Sequence, residues 1–229
     1  LPLHPRLSHM LLKSGPLNLT GLASELAALL SERDILRGPS GWQNADLRLR
    51  LDALHGTHSQ AAGATVNRTV CQRVRRTADL WQRQLSQQRD KKQADKHDDL
   101  YSVGLLLALA YPDRIAQRQQ GNDARYLMAN GRGALFVNPD PLGSEDYLVI
   151  ADLDGGAQWA RIDLAAPVQL SDVESLYENR IQVMDEVLQS IRQDGLRLLV
   201  RRRRPRHWPA RRSGLRRHGP EAEAAEGRR

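Results

Sequence analysis

The 229 residues hold one cysteine, Cys71, so no disulfide can form within the chain. That excludes a disulfide-stapled fold and fits a reducing compartment. The expected location is therefore cytoplasmic. No apolar run approaches the ~20 residues of a membrane-spanning helix. The longest, Leu105 to Tyr111, has the length of a core element, and no membrane partner is expected. There is no Gly-Lys dipeptide, so a G-x-x-x-x-G-K-[ST] phosphate loop is absent, and there is no DExH box. Without the backbone cradle and its lysine, the chain is not equipped to bind and cleave ATP in the P-loop manner. No G-x-S-x-G nucleophile elbow occurs either, and no catalytic residue is expected. His55 and His58 stand close together, but zinc sites usually take three or four ligands. No Cys or acidic cluster completes such a set, so no metal is expected. Cys71 reads as a small buried hydrophobe rather than a nucleophile. No signal-peptide pattern opens the sequence. It starts at Leu1, inside what reads as structure, and the expectation is a piece of a longer protein.

Enough is present for a real core. Hydrophobic residues make up 40% and charged residues 27%, which suits one large domain or two small ones. The net charge of +7 and the pI near 10.0 suggest a polyanion partner. Their distribution corrects that impression. Residues 1–195 carry 22 Lys and Arg against 24 Asp and Glu, a net of −2, while the last 34 residues carry 12 Arg and 3 Glu, a net of +9. Basic character in the body can only be local.

Residues 1–116 read as helical. Pro5 suits a first turn, with Leu7, Met10 and Leu11 following at helical spacing before Gly15-Pro16. Leu22, Leu26, Leu29 and Leu30 form a second stripe, with Asn18 or Thr20 as its cap. Leu47, Leu49 and Leu51 alternate as in a strand, whereas Leu47, Leu51 and Leu54 fit a helix, and periodicity leaves both open. Thr65 reads as the next cap. Val66, Val70, Val74, Ala78, Trp81 and Leu85 then keep one face, with Arg68, Arg75, Arg76 and Arg83 opposite. Residues 87–98 read as a polar loop or frayed end. A helix apolar nearly all round follows from Leu100 to Ala110, and should be buried.

The pattern changes after Ala116. Tyr126–Ala129, Ala134–Val137, Tyr147–Ala151 and Ala160–Ala165 are strand-like runs separated by turn residues. Such spacing predicts a small barrel. Ser171-Asp172-Val173-Glu174 has the pattern of a capping box, and Val173, Leu176, Tyr177 and Ile181 continue it as a helix, expected to close the barrel. From Arg201 onward no periodicity remains.

The arginine face of Arg68, Arg75, Arg76 and Arg83 suits phosphate contact and equally suits a solvated helix face. Arg132 lies between two glycines in Asn130-Gly131-Arg132-Gly133. A loop guanidinium there can stack on a base or pair with a phosphate. On the residues alone a hairpin turn with an exposed arginine is the simpler reading.

Several segments together resemble one family. Leu1 to Leu12 resembles the entry into the ratchet domain of DEAH/RHA helicases, and Leu26 to Asp34 their following helix. Ala45 to Leu51 is similar to the next block of that domain, which favours helix there. Leu105 to Ala116, with Arg114, looks like the junction into their OB-like domain. Arg125 to Ala134 and Val149 to Gly156 narrow the resemblance to the bacterial HrpB type. The resemblance covers roughly 1–190. It implies an α+β chain: a helical ratchet (HA2-like) domain over 1–116, an OB-like β-barrel domain over 117–190, and a disordered basic low-complexity tail over 191–229. After Arg204 the tail departs from the family and fits a shifted reading frame. In such a helicase, RecA-like lobes hydrolyse ATP with magnesium, and the accessory domains hold the emerging single strand. The implied partners are single-stranded RNA or DNA and those lobes; nothing points to a homo-oligomer. Because the body is nearly neutral, its contacts are expected in a local groove, at Arg68, Arg75, Arg76, Arg83, Arg114, Asn130 and Arg132. A stand-alone nucleic-acid-binding adaptor and an inactive truncated product are the rival readings.

Overall fold

The structure is a computed structural model and describes residues 3–40, 42–57, 63–86, 101–119, 121, 124–155 and 159–178. His58, the polar stretch 87–98, Ile181 and the tail over 191–229 lie outside the described residues.

Leucine spacing sets the helices, and the residues at their ends set their limits. Helix α1 (Pro5–Ser14) carries Pro5 in its first turn, and the His4 ring nitrogen accepts from the Arg6 amide at 3.3 Å. Helix α2 (Thr20–Ser31) is capped by neither expected residue. Leu19 precedes it without a side-chain bond, and Asn18 takes φ 57° in the turn before it, a left-handed conformation that asparagine tolerates. Helix α3 (Leu47–His55) decides the ambiguous leucines in favour of helix. The Asp46 carboxylate accepts from the Arg48 amide at 2.9 Å, and Gly56 ends the helix at φ 81°, the left-handed turn that glycine makes without strain.

Strands β1 (Leu36–Arg37) and β2 (Thr65–Val66) form a small antiparallel ribbon. Each is too short to leave a sequence period. Thr65 is thereby a strand residue and not the expected cap. Asn67 takes that role, its side-chain oxygen accepting from the Val70 amide at 3.2 Å, and α4 (Arg68–Ser86) follows. Helix α5 (Ser102–Ala110) is buried except at Leu105, which is half-buried. Leu106 and Leu107 are fully buried, each contributing roughly 2 kcal/mol by burial. A Cβ on Gly104 would overlap the Pro167 carbonyl, so α5 lies against backbone there because that residue has no side chain.

A short 3-10 turn, Pro112–Arg114, leads into five strands: β3 (Ile115–Arg118), β4 (Arg125–Met128), β5 (Gly133–Leu135), β6 (Tyr147–Leu153) and β7 (Trp159–Pro167). They close a barrel in the order β3-β4-β5-β7-β6. The β5–β7 pairing is parallel and the others antiparallel. Four strands fall on the expected runs. β3 was not among them, because only Ile115 and Ala116 of its four residues are buried. Inside the barrel, register partners Tyr126, Ala134 and Ala160 are each 0% exposed. The two alanines make room for the tyrosine ring. Phe136 meets that ring edge-on, with centroids 5.8 Å apart.

Helix α6 (Leu170–Leu176) begins one residue before Ser171, with Gln169 at its cap, so the expected capping box does not form. It packs on α5, where the Tyr177 hydroxyl donates to the Ala108 carbonyl at 2.7 Å, rather than closing the barrel. The helical core continues onto the outer wall of the barrel through Val149, Ala151, Ala166 and Val168, and a second core fills the barrel. The described body is therefore a mixed α+β structure in which helices cover one wall of the barrel.

Candidate nucleic-acid interface

Of the four arginines expected on α4, Arg68, Arg76 and Arg83 are exposed on the face opposite Val70, Val74, Ala78 and Trp81. Arg75 is also exposed overall, but its guanidinium turns back. Its Nε donates to the Leu54 carbonyl at 2.9 Å and its Nη2 donates to the same oxygen. That carbonyl lies in the last turn of α3, where a cation satisfies unpaired backbone oxygens. Arg73, not singled out from the sequence, pairs with Glu32 at 3.1 Å. A cleft of about 700 Å³ opens beside the start of α4, and the described residues that line it include Arg68 and Arg75 but no carboxylate.

Arg114 lies at the joint between helices and barrel. Its Nη1 donates to the Ala151 carbonyl at 2.8 Å, and its guanidinium lies 5.0 Å from the centre of the Tyr111 ring. Arg6, in α1, lies 5.6 Å from the same ring and is ion-paired with Asp113. Burial pushes the Asp113 carboxyl up, but the hydrogen bond and charge of Arg6 outweigh it and hold the group below its ordinary value. Two cations, a ring and a carboxylate thus clasp α1 to the strand that starts the barrel.

Asn130 and Arg132 form the β4–β5 hairpin. The Asn130 side-chain oxygen accepts from the Arg132 amide at 3.0 Å, Gly131 takes φ 82°, and the Met128 amide donates to the Arg132 carbonyl at 2.9 Å. Asn130 is therefore a turn-forming residue. Its amide donates to the Asp113 carbonyl at 3.1 Å, which ties the hairpin to the same joint. Arg132 is exposed on the hairpin. Two neighbours of this hairpin were not singled out from the sequence. Arg125, in β4, lies 5.3 Å from the centre of the Trp159 ring, and the indole lies on Gly133. The signal was present. Trp159 directly precedes the alternating run that was read as starting at Ala160.

Another cleft, about 570 Å³, lies between α2, α3 and the barrel. Glu32, Asp34, Asp140, Asp152 and Asp163 line it, against the single cation of Arg50. Arg50 is 5% exposed and committed inward, its Nη2 donating to Asp34 at 2.8 Å and its Nη1 to the Asp46 carbonyl at 3.1 Å. That excess of carboxylates repels a phosphate backbone. Burial pushes the Cys71 thiol up, which leaves it a poor nucleophile.

No protein-family model matches the sequence. Over 87 residues the chain is 37% identical to the ATP-dependent RNA helicase HrpB of Escherichia coli K12, covering 37% of this chain and 11% of that protein. The crystal structure of E. coli DExH-box NTPase HrpB aligns with a TM-score of 0.55 at 28% identity, covering 79% of this chain and 19% of that one. A crystal structure of E. coli DEAH/RHA helicase HrpB aligns with a TM-score of 0.50 at 26% identity, over 73% and 18%. The chain thus spans a fifth or less of the length of the relatives it matches. It is homologous to a region of the HrpB helicases.

Proposed function

We propose that this chain is the accessory region of an ATP-dependent RNA or DNA helicase, in which an HA2-like helical layer and an OB-like barrel guide a single strand past RecA-like motor lobes. The observation that carries the reading is the match to HrpB over 79% of the chain, across both helices and barrel. The strand order supports the OB-like part, since a five-stranded Greek-key barrel of this kind is a recurrent oligonucleotide binder. ATP and magnesium belong to the lobes in this reading, because no phosphate loop occurs in the 229 residues.

Arg68, Arg76 and Arg83 of α4 and the Asn130–Arg132 hairpin are the contacts of the body, while Arg75 is held by the Leu54 carbonyl. The tail, with its net charge of +9, adds a sequence-blind electrostatic term. A labelled single-stranded oligonucleotide titrated at two salt concentrations tests this, with the full chain and with the chain lacking residues 201–229. The tail-less chain should bind more weakly and with a shallower salt slope, yet measurably. In it, Arg132→Ala should weaken binding by about 1 kcal/mol, the size of one charge-assisted or stacking contact. Absence of any binding by the tail-less chain refutes a strand-guiding body.

A further inference from the structure

We propose that the acidic cleft between α2, α3 and the barrel docks a basic peptide segment of a partner protein, with lysine or arginine side chains on Asp152 and Asp163 and a backbone carbonyl on Arg50. The proposal does not rest on the strand-guiding reading, since this cleft repels a phosphate backbone. Its volume of about 570 Å³ is that of a ligand-binding cleft. Carboxylates stand on both walls, but most already have work in the fold. Asp34 holds Arg50 and Glu32 holds Arg73. Both oxygens of Asp140 accept backbone amides, from Ala45 at 2.8 Å and from Leu142 at 2.9 Å. Asp152 is different. It is exposed, and among the described residues it bonds only the adjacent Leu153 amide, at 3.0 Å. Asp163 shares its charge with Arg161 at 2.8 Å.

Strand pairing delivers these two aspartates to the cleft. Ile150 pairs with Ala165, Asp152 with Leu164, and Leu153 with Ile162, so the register slips twice. Ala151 and Asp163 are the extra residues, and such bulges turn side chains out of the ordinary alternation. Ile162, Asp163 and Leu164 consequently all border the cleft, where a regular strand would present alternate residues. Among the described residues no group of three His, Cys, Asp or Glu stands close enough to hold a metal ion. Carboxylates spread in this way suit charges spaced along a chain. Trp42, Phe136, Val137 and Leu164 supply apolar surface between them, and Val137 is 63% exposed. That surface suits the aliphatic stems of lysine and arginine.

The other group that awaits a partner is a donor. Arg50 is 5% exposed and lines the cleft, and its Nε has no hydrogen-bond partner among the described residues. A buried donor without an acceptor is costly. A metal ion or a simple polyamine brings no acceptor, whereas a peptide brings a carbonyl with every residue. The half-buried Trp42 indole lies over the guanidinium, with its centre 5.9 Å away. Docking turns that ring aside and opens the way to Nε, so tryptophan emission reports occupancy.

The experiment titrates the full chain into a labelled, end-blocked octapeptide of alternating lysine and glycine and reads its anisotropy. Saturable binding that weakens with salt is expected, with a shift in tryptophan emission that Trp42→Phe abolishes. Asp152→Asn should weaken binding about threefold, and Asp152→Asn combined with Asp163→Asn about tenfold, the worth of one and two partly exposed ion pairs. Arg50→Lys keeps a cation beside Asp34 but removes the Nε donor. It should weaken the peptide and leave spermine, a cation without a carbonyl, unchanged. Melting curves establish that each variant is folded, and the exposed Asp152 allows the test to stand even where Arg50→Lys does not fold. Absence of peptide binding, binding unchanged in the double aspartate variant, or spermine that binds as tightly as the peptide with the same emission shift overturns the proposal.

Discussion

Replacing Tyr126 by phenylalanine removes one oxygen from the centre of the barrel. That hydroxyl donates to the Leu142 carbonyl at 2.8 Å, with the Glu145 carbonyl at 2.9 Å on the same side. It fastens the 3-10 turn Pro141–Ser144 to the barrel interior. Burial raises the phenol's pKa above its ordinary value, so the group is a neutral donor throughout the working range. Stranding a buried carbonyl costs about 1–3 kcal/mol. Two features reduce that here. The Leu142 carbonyl keeps a second donor, the Glu145 amide at 3.1 Å, and Glu145 is only half-buried, so its own carbonyl can find water. The expected loss is therefore about 1–1.5 kcal/mol, a fall in Tm of roughly 2–6 °C for a body of this size. Tyr126→Ala also empties the space that Ala134 and Ala160 leave for the ring, and should cost about 3–5 kcal/mol. Urea unfolding followed by circular dichroism measures both. Single-strand binding by Tyr126→Phe should be unchanged at temperatures where it is folded, since Arg132 stays exposed on its hairpin. If Tyr126→Phe lies within about 0.5 kcal/mol of the parent chain, below the usual worth of one hydrogen bond, the hydroxyl does not anchor the turn. If it is as unstable as Tyr126→Ala, the ring does not fill the barrel.

The α4 arginines should separate by role. Arg75→Ala should lower stability by about 1 kcal/mol, through the lost bonds to Leu54, and leave binding intact. Arg68→Ala, Arg76→Ala and Arg83→Ala should leave stability unchanged and each reduce the salt slope of binding; the opposite pattern refutes the division. The Arg6–Asp113 pair should show in the acid limb. Because the folded-state pKa of Asp113 lies below its unfolded value of about 3.9, the pair stabilises the fold above that value and the contribution is lost as pH falls through the folded pKa. Both side chains are more than a third exposed, so the effect should stay at or below about 1 kcal/mol. Asp113→Asn should flatten the stability profile below about pH 4; an unchanged acid limb refutes the pairing.

Much of the framework was legible before any coordinates. Apolar periodicity located α1, α2, α4 and α5, and the turn residues around Asn130 and Asn138 located four of the five barrel strands. What failed shares a physical cause. β1 and β2 are two residues long and β3 buries two, so none carries a repeating period. Thr65 and Ser171 had the chemistry of helix caps, but a cap is defined by where the chain turns. Strand pairing took Thr65, and α6 starting at Leu170 took Ser171 into the helix. On the candidate site, sequence found charges but could not assign them. Arg75 and Arg114 turn to the backbone carbonyls of Leu54 and Ala151, which no local sequence pattern announces.

The sequence by itself determined the α-then-β order of the chain, the absence of a phosphate loop and of an internal disulfide, and the concentration of positive charge in the last 34 residues. These follow from composition and local spacing, which do not depend on what folds against what. Only the tertiary structure decided that five strands close a barrel with β5 parallel to β7, and that the helical core extends onto one wall of it. It alone decided that Trp159 lies across Gly133 beside Arg125. Gly133 and Trp159 are 26 positions apart in sequence, and only a hydrogen-bonded register between two strands brings them to one place.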